Sequence, residues 1–442
     1  MQSPIRIQRR ELDVPPSIHK DMWKLALPVM LSNVSVPLLG LIDTAILGHL
    51  PDTQYLAAVA MGSSLLVLIL WSFAFLRMGT TALVARHYQS EADISIVMQS
   101  AGVLAIAIGL LLITIHPWLI QFMLTLVSGP EHIEILAANY LSIRFYFSPV
   151  TLLNYAMLGY FIGKGQTHIT LILLVSTSIL NALLNYVFVY AFNMNSEGVA
   201  WGTNLAECFQ LVLAWYFVND TIIQSRYWPK LRQEFSKFLK LNSHLFIRTS
   251  LLLFAFAFFM AQGAKHSAEL LSANAILINL LLFISNALDG FALASESLIG
   301  KAIADKRINR IQTIIVASGQ WSFISACLFS CLLFIFSETI YWMLTSQAAV
   351  LELLHLLNAW LVFLPIVGFA CFWLDGIYVG LAAVEEMKNS IIFALFFIFL
   401  PFVYLFSFWE MHGLWLAMYG FLLGRALWQL IKLPASVQKF AN

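Results

Sequence analysis

Charge is what this sequence has least of. Only 11% of its 442 residues are Asp, Glu, Lys or Arg, where a soluble domain carries roughly 25%. A soluble core of this size has no room for the 60% that are hydrophobic, so the surplus must face something as apolar as itself, and lipid fits. Charge of one sign is missing too. The formal net charge is +1, which removes any general attraction to nucleic acid. Cysteine is scarce. Cys208, Cys327, Cys331 and Cys371 sit in apolar stretches without a CxxC pair. Cys327 and Cys331 are one helical turn apart with no His or further Cys near them, so a disulfide framework or zinc site is not expected. The ten histidines are scattered, mostly at the ends of apolar stretches. Neither a DDxxD-type acidic pair nor a His/Asp constellation is present, which argues against an embedded prenyltransferase or acyltransferase. No enzyme activity and no cofactor are expected. The start, MQSPIRIQRRELDVPPSIHK, is polar and basic, so no cleavable signal peptide is expected.

What is there is a series of long apolar stretches. A bilayer core needs about 20 apolar residues per helix. Twelve stretches meet this: 22–48, 55–84, 94–124, 133–162, 168–192, 197–219, 244–264, 268–299, 312–337, 347–379, 388–408 and 413–433. The one long polar interruption, 220–243, divides them six and six. The expected fold is therefore an all-α integral membrane protein with 12 transmembrane helices in two six-helix lobes. The expected division is a tail (1–21), an N-lobe (22–219), a linker (220–243), a C-lobe (244–433) and a second tail (434–442). Placing both tails and the linker in the cytoplasm puts 21 of the 24 Lys and Arg on that side. That count includes Arg248 and Arg425, in the cytoplasmic halves of their spans. A wrong helix count would scramble this bias.

The halves echo each other. LAAVAMG at 56 resembles LSANAIL at 271, Pro149 matches Pro365, and Gly198 matches Gly413, at shifts of 215, 216 and 215. Six helices per repeat is an even number, so the two lobes have the same orientation and a pseudo-two-fold axis along the membrane normal. Two such bundles favour a central cleft that opens to either side in turn.

Ionisable and polar groups inside the spans are the candidate functional residues, since each is costly there. Asp43 in helix 1 has no basic neighbour in its span. It is a candidate carrier of H⁺ or Na⁺, or else a structural hydrogen-bonding group. Thr177, Asn181 and Asn185 form an i, i+4, i+8 stripe on helix 5, and Thr203 and Glu207 an i, i+4 pair on helix 6. Such oxygens suit a hard cation, or simply interhelical hydrogen bonds. Helix 8 carries Asn279, Asn286, Asp289 and Glu296 on one face, and helix 10 carries Asp375. Asp289 and Asp375 should face the bundle interior, as coupling or substrate contacts or as structural groups at Gly-flanked bends. Glu296, near the cytoplasmic end, is either functional or simply hydrated. Arg144, deep in helix 4, should pair with a carboxylate, whereas Arg77 should snorkel to the interface. Pro28 and Pro37 interrupt helix 1 before Asp43, as a hinge or a static kink.

Several segments are similar to those of a known family. They are ALPVMLSNVSVPLLGLIDTAILGHL (26–50), IRFYFSPVTLLNYAMLGYFIGKGQT (143–167), LLNYVFVYAFNMNSEGVAWGT (183–203), LSANAILINLLLFISNALDGFALASESLIG (271–300) and PIVGFACFWLDGIYVG (365–380). Over about residues 20–435 the chain resembles the multidrug and toxic compound extrusion (MATE) family, and within it the DinF-like branch. The resemblance implies a V-shaped pair of lobes and export driven by re-entry of H⁺ or Na⁺. It places the family's helix 1 aspartate on Asp43, its bending proline on Pro28, its helix 5 asparagine on Asn181 and its helix 6 threonine on Thr203. Two positions depart. Helix 5 of the family commonly reads N-x-x-x-D, but here Asn185 replaces the second acid. The family's helix 7 glutamate also has no counterpart in 244–264.

The expected function is a secondary-active efflux transporter, a monomer in a bacterial inner membrane, exchanging small organic or amphipathic compounds for H⁺ or Na⁺. Any Na⁺ site would use Asp43, Asn181 and Thr203, and no other metal is expected. The alternatives are a flippase for a lipid-linked precursor, which calls for a strongly cationic cavity, and a membrane-embedded enzyme.

Overall fold

The computed structural model describes residues 15–48, 54–127, 130–218, 228–264, 268–345 and 347–440, with Leu50 and Asp52 in the first connection. Side chains at 34–45, 48, 126–127, 228–234, 264, 268 and 271 lie outside that description. Pro37 and Asp43 are therefore helical in backbone only, and Arg6, Arg9, Arg10 and Arg226 are not described.

Every regular element among the described residues is a helix. A chain crossing lipid must satisfy its backbone internally, and a helix does so within one segment. The N-terminal half supplies α1 (Pro16–Gly48), α2 (Gln54–Arg86), α3 (Glu91–Val127), α4 (Glu131–Tyr146 continuing as Ser148–Gly163), α5 (Thr167–Ala191) and α6 (Asn195–Phe217). The C-terminal half supplies α7 (Trp228–Ala264), α8 (Ala268–Ala304), α9 (Ile308–Leu344), α10 (Ala348–Gly380), α11 (Val384–Leu405) and α12 (Glu410–Gln438). Trp118, Val212, Phe334 and Phe397 are 69–73% exposed. Such a surface suits hydrocarbon and not water.

Nine of these helices, among the described residues, are long and apolar enough to cross a membrane: α2, α3, α5 and α7–α12. Of the other three, α1 is only partly described, and α4 and α6 have local reasons to differ. At Phe147, α4 breaks into two 16-residue halves, because Pro149 has no N–H to donate and disfavours a helical Ser148. The 23 residues of α6 include Glu197, Thr203, Asn204, Glu207 and Gln210. The 220–243 segment also differs from a simple loop. Helix α7 begins at Trp228, and Phe238 and Asn242 are buried where α7 packs on α2 and α3.

The two halves pack alike. Within the lobes, α1 lies on α5 as α7 lies on α11, α2 on α4 as α8 on α10, and α4 on α6 as α10 on α12. Between them, α1 against α8 matches α7 against α2, which leaves the α2–α8 contact on the axis. The closest approaches repeat too. A Cβ on Gly159 or Gly163 of α4 would meet the carbonyl oxygens of Arg77 and Thr81 on α2 at 2.5 and 2.8 Å. Gly376 and Gly380 of α10 meet those of Ala292 and Glu296 on α8 in the same way. The carbonyl partners differ by 215 positions, the glycines by 217. Small residues at i and i+4 let backbones touch in a membrane, where no hydrophobic force drives helices together.

The lobes join at the end bearing loops 87–90, 164–166, 305–307 and 381–383, called here the basic end. Lys301 Nζ donates to Lys164 O at 2.7 Å, Arg86 to Leu381 O at 3.1 Å, and Gln89 Nε2 to Asp305 Oδ1 at 2.6 Å. Tyr88 donates to the same carboxylate. Gly165 has φ +73°, and any Cβ there would strike Lys301 Nζ, so glycine suits both the turn and the latch.

Candidate functional site

Four groups of buried polar residues stand out, two in the N-lobe, one in the C-lobe and one between the lobes. In the N-lobe, α5 packs between α1 and α6 and turns its stripe inward, with Thr177, Asn181 and Asn185 all buried. Asn181 Nδ2 donates to Thr203 Oγ1 at 2.9 Å, and Asn185 Nδ2 to Asn181 Oδ1 at 3.1 Å. Asn185 lies against Gly202, which leaves no room for a larger residue on α6. Asn181, Asn185 and Thr203 thus come together as the spacing implies. Asp43 lies outside the described side chains. Helix α1 continues through Pro28, whose carbonyl accepts from Ser32 Oγ at 2.6 Å.

Glu207 has a different partner from the one its spacing suggests. It forms an ion pair with Arg144 at 2.7 Å and accepts from Thr151, while Asn154 Nδ2 donates to its backbone oxygen at 2.9 Å. Arg144 also donates to Asn204, and Asn204 Nδ2 to Ile143 O at 2.8 Å. The expected pairing of Arg144 is realised, and it ties Glu207 to α4.

In the C-lobe, Asp375 of α10 accepts from Arg248 of α7, from Arg425 of α12 at 2.7 Å and from Gln429 Nε2 at 2.7 Å. Arg425 is 0% exposed. Arg248 and Arg425, counted above on the cytoplasmic side from within their spans, are core ion-pair residues. The signal in the sequence was two arginines in apolar spans of the lobe that holds Asp375.

Between the lobes lies a cavity of about 210 Å³. Arg77 of α2, Arg248 of α7, Asn286, Asp289 and Glu296 of α8, and Asp375 of α10 line it. Trp71, Phe256 and Phe372 are among its apolar walls, aromatics that no sequence signal had singled out. Two expectations change here. Arg77 points to this cavity instead of snorkelling, because α2 faces α8 at the pseudo-axis. Glu296 is 1% exposed and so does not reach bulk solvent at the end of its helix, because α10 packs on α8 through Gly380. Asn279 is exposed and does not line the cavity. Among the described residues no three His, Cys, Asp or Glu side chains converge as a metal site.

Two alike six-helix lobes, latched at one end around a charged cavity, have the build of a multi-pass membrane transporter. The comparisons with known proteins agree. The MatE family model matches residues 28–187 and 230–405, so the chain belongs to the MatE family of transporters, which are not enzymes. It is 33% identical over 426 residues to DNA damage-inducible protein F of Escherichia coli (strain K12), covering 93% of this chain and 91% of that one. It is 25% identical over 370 residues to a probable multidrug resistance protein NorM of Bacillus thuringiensis, covering 78% of each. A solved structure of a multidrug resistance MATE family transporter of the MOP superfamily, in an outward-facing conformation, superposes with TM-score 0.84. It shares 18% identity over 96% of each chain. The twelve-helix, two-lobe architecture is thus the family's.

Proposed function

We propose that this chain is a secondary-active efflux transporter that exports small organic, amphipathic compounds in exchange for H⁺ or Na⁺. It works as a monomer in a bacterial inner membrane, with both termini and the basic end in the cytoplasm. The observation that carries this reading is the cavity of ionisable groups between two lobes that are latched at the basic end by side-chain hydrogen bonds. Such a contact set can break and re-form as the lobes rock, which alternating access requires. The NorM relative supports an organic cargo. The N-lobe cluster of Asn181, Asn185 and Thr203, near Asp43 by sequence resemblance, is the proposed cation site of that lobe. Acids stand beside the arginines of the cavity, which disfavours a flippase for a pyrophosphate-bearing lipid.

The test is transport in proteoliposomes under an imposed pH or Na⁺ gradient with a panel of cationic dyes, neutral drugs and organic anions. Gradient-dependent movement of at least one class is expected. No gradient-dependent flux of any class, from protein shown to be folded, would overturn the reading.

A further inference from the structure

The internal repeat explains the charges in the central cavity. Under the shift of 215, Ala74, Arg77 and Thr81 on α2 correspond to Asp289, Ala292 and Glu296 on α8. These are i, i+3 and i+7 positions, one face of each helix. Because α2 and α8 meet at the pseudo-axis, Ala74 and Arg77 line the same cavity as Asp289, Ala292 and Glu296. One copy has become basic and the other acidic.

Glu296 is buried, its Oε1 has no hydrogen-bond partner, and its carboxyl lies beside the Thr81 hydroxyl with Arg77 as the nearby cation. Asp289 shares the cavity, within the field of Arg77, Arg248 and Asp375. Asp375 does not compete for Arg77, since Arg248 and Arg425 already answer it. Among the described residues, the other ionisable groups facing this region are Cys371 on α10 and Tyr155 on α4, the latter within the field of Arg77, Arg144 and Glu207. Towards the basic end, Lys301 meets the α4–α5 turn, and Asp21 of α1 pairs with Arg310 of α9. At about 210 Å³ the cavity is smaller than the roughly 300 Å³ at which small-molecule sites begin. It suits water and ions, not an organic cargo. A hard metal cation calls for about six converging oxygen ligands, whereas a proton needs one carboxylate.

We propose that Asp289 and Glu296 form a proton site at the lobe interface, and that Arg77 is the opposing N-lobe charge that keeps the lobes together while the acids are ionised. This deepens the efflux reading and rests on it, giving the coupling proton a place outside the N-lobe. A proton arriving from the side away from the latch forms an O–H bond on one carboxylate and cancels its pull on Arg77. The lobes then part at the basic end, and the proton leaves there as the bond breaks. The ionised acid draws Arg77 back, and the latch closes again.

The test uses the full chain in lipid nanodiscs, with its four native cysteines replaced by alanine. Spin labels go on His168→Cys and Glu385→Cys, one exposed basic-end position in each lobe. Double electron–electron resonance reads the distance between them as pH is lowered from mildly alkaline to mildly acidic. The parent should lengthen on acidification, with no response to Na⁺. Glu296→Gln, which carries no charge at any pH, should stay long throughout, and Asp289→Asn should shift the transition. The exchange Arg77→Glu with Glu296→Arg should restore the short distance at alkaline pH, a result that mere loss of packing would not give. Parent-like pH responses in both single variants would overturn the site, as would a distance that follows Na⁺ and not pH. The distance does not depend on cargo. A titrating distance without transport of any compound would sink the efflux reading and leave the site standing. Parent-rate export on a pH gradient by Glu296→Gln would do the reverse.

Discussion

Asp375 lies between two arginines from two other helices, with Gln429 completing its hydrogen bonds. Deleting one partner of a buried pair leaves a bare charge, at a cost of about 3–5 kcal/mol. Asp375→Leu should therefore lower the thermal unfolding temperature sharply, while the lipid-facing Phe334→Leu should leave it nearly unchanged. Asp375→Leu combined with Arg425→Leu should recover part of the loss, since one of the two stranded charges goes with it. Equal melting of Asp375→Leu and the parent in detergent would show that the network carries no stability. Asp43 is the complementary case. If it binds the coupling cation, Asp43→Asn should abolish gradient-driven export and keep cargo binding, because the side chain holds its size and loses its charge. Flux assays beside dye-binding titrations check this, and normal transport would remove Asp43 from the mechanism. The carboxylates were legible one by one as costly groups in apolar spans. Their partners were not, because Arg144, Arg248 and Arg425 lie at least 50 residues from the acids they meet.

At the scale of elements, the strongest feature is the pair of Gly-x-x-x-Gly faces on α4 and α10. Each sets its helix directly on the carbonyls of α2 or α8. Overpacking such a contact costs typically 1–3 kcal/mol. Gly159→Ala and Gly376→Ala should each reduce the folded yield to a similar degree, since the two lobes use the same contact. Gly102→Ala should be tolerated, because its nearest neighbour is Leu153 Cδ2 at 3.9 Å. Fluorescence-detected size exclusion measures all three, and a damaging Gly102→Ala beside a harmless Gly159→Ala would refute the packing argument. Helix positions were legible from apolar run length alone. The break in α4 and the early start of α7 were not. The first is set by Pro149, which apolar run length does not register, and the second shows only in the burial of Phe238 and Asn242 against α2 and α3.

For the whole molecule, the lobes share the basic end as their meeting place, and orientation follows from which side that end faces. If it is cytoplasmic, an impermeant thiol reagent added outside intact cells should label Glu131→Cys, at the start of α4. It should not label His168→Cys, at the start of α5. Both positions are exposed. The opposite labelling pattern would invert the topology, and with it the direction of transport.

Composition and run length by themselves determined that this chain is a membrane-embedded bundle. The fixed shift near 215 determined that the bundle is double, since burial in lipid and internal repetition are both written along the chain. Which charges meet was decided only by the tertiary structure. Helical spacing shows which residues share a face, but not which helix that face touches. Arg77 reads as an interfacial residue from its place near the end of a span. It becomes a cavity residue because α2 and α8 meet on the pseudo-axis. Glu207 reads as a cation ligand beside Thr203, and becomes the partner of Arg144 because α6 packs on α4.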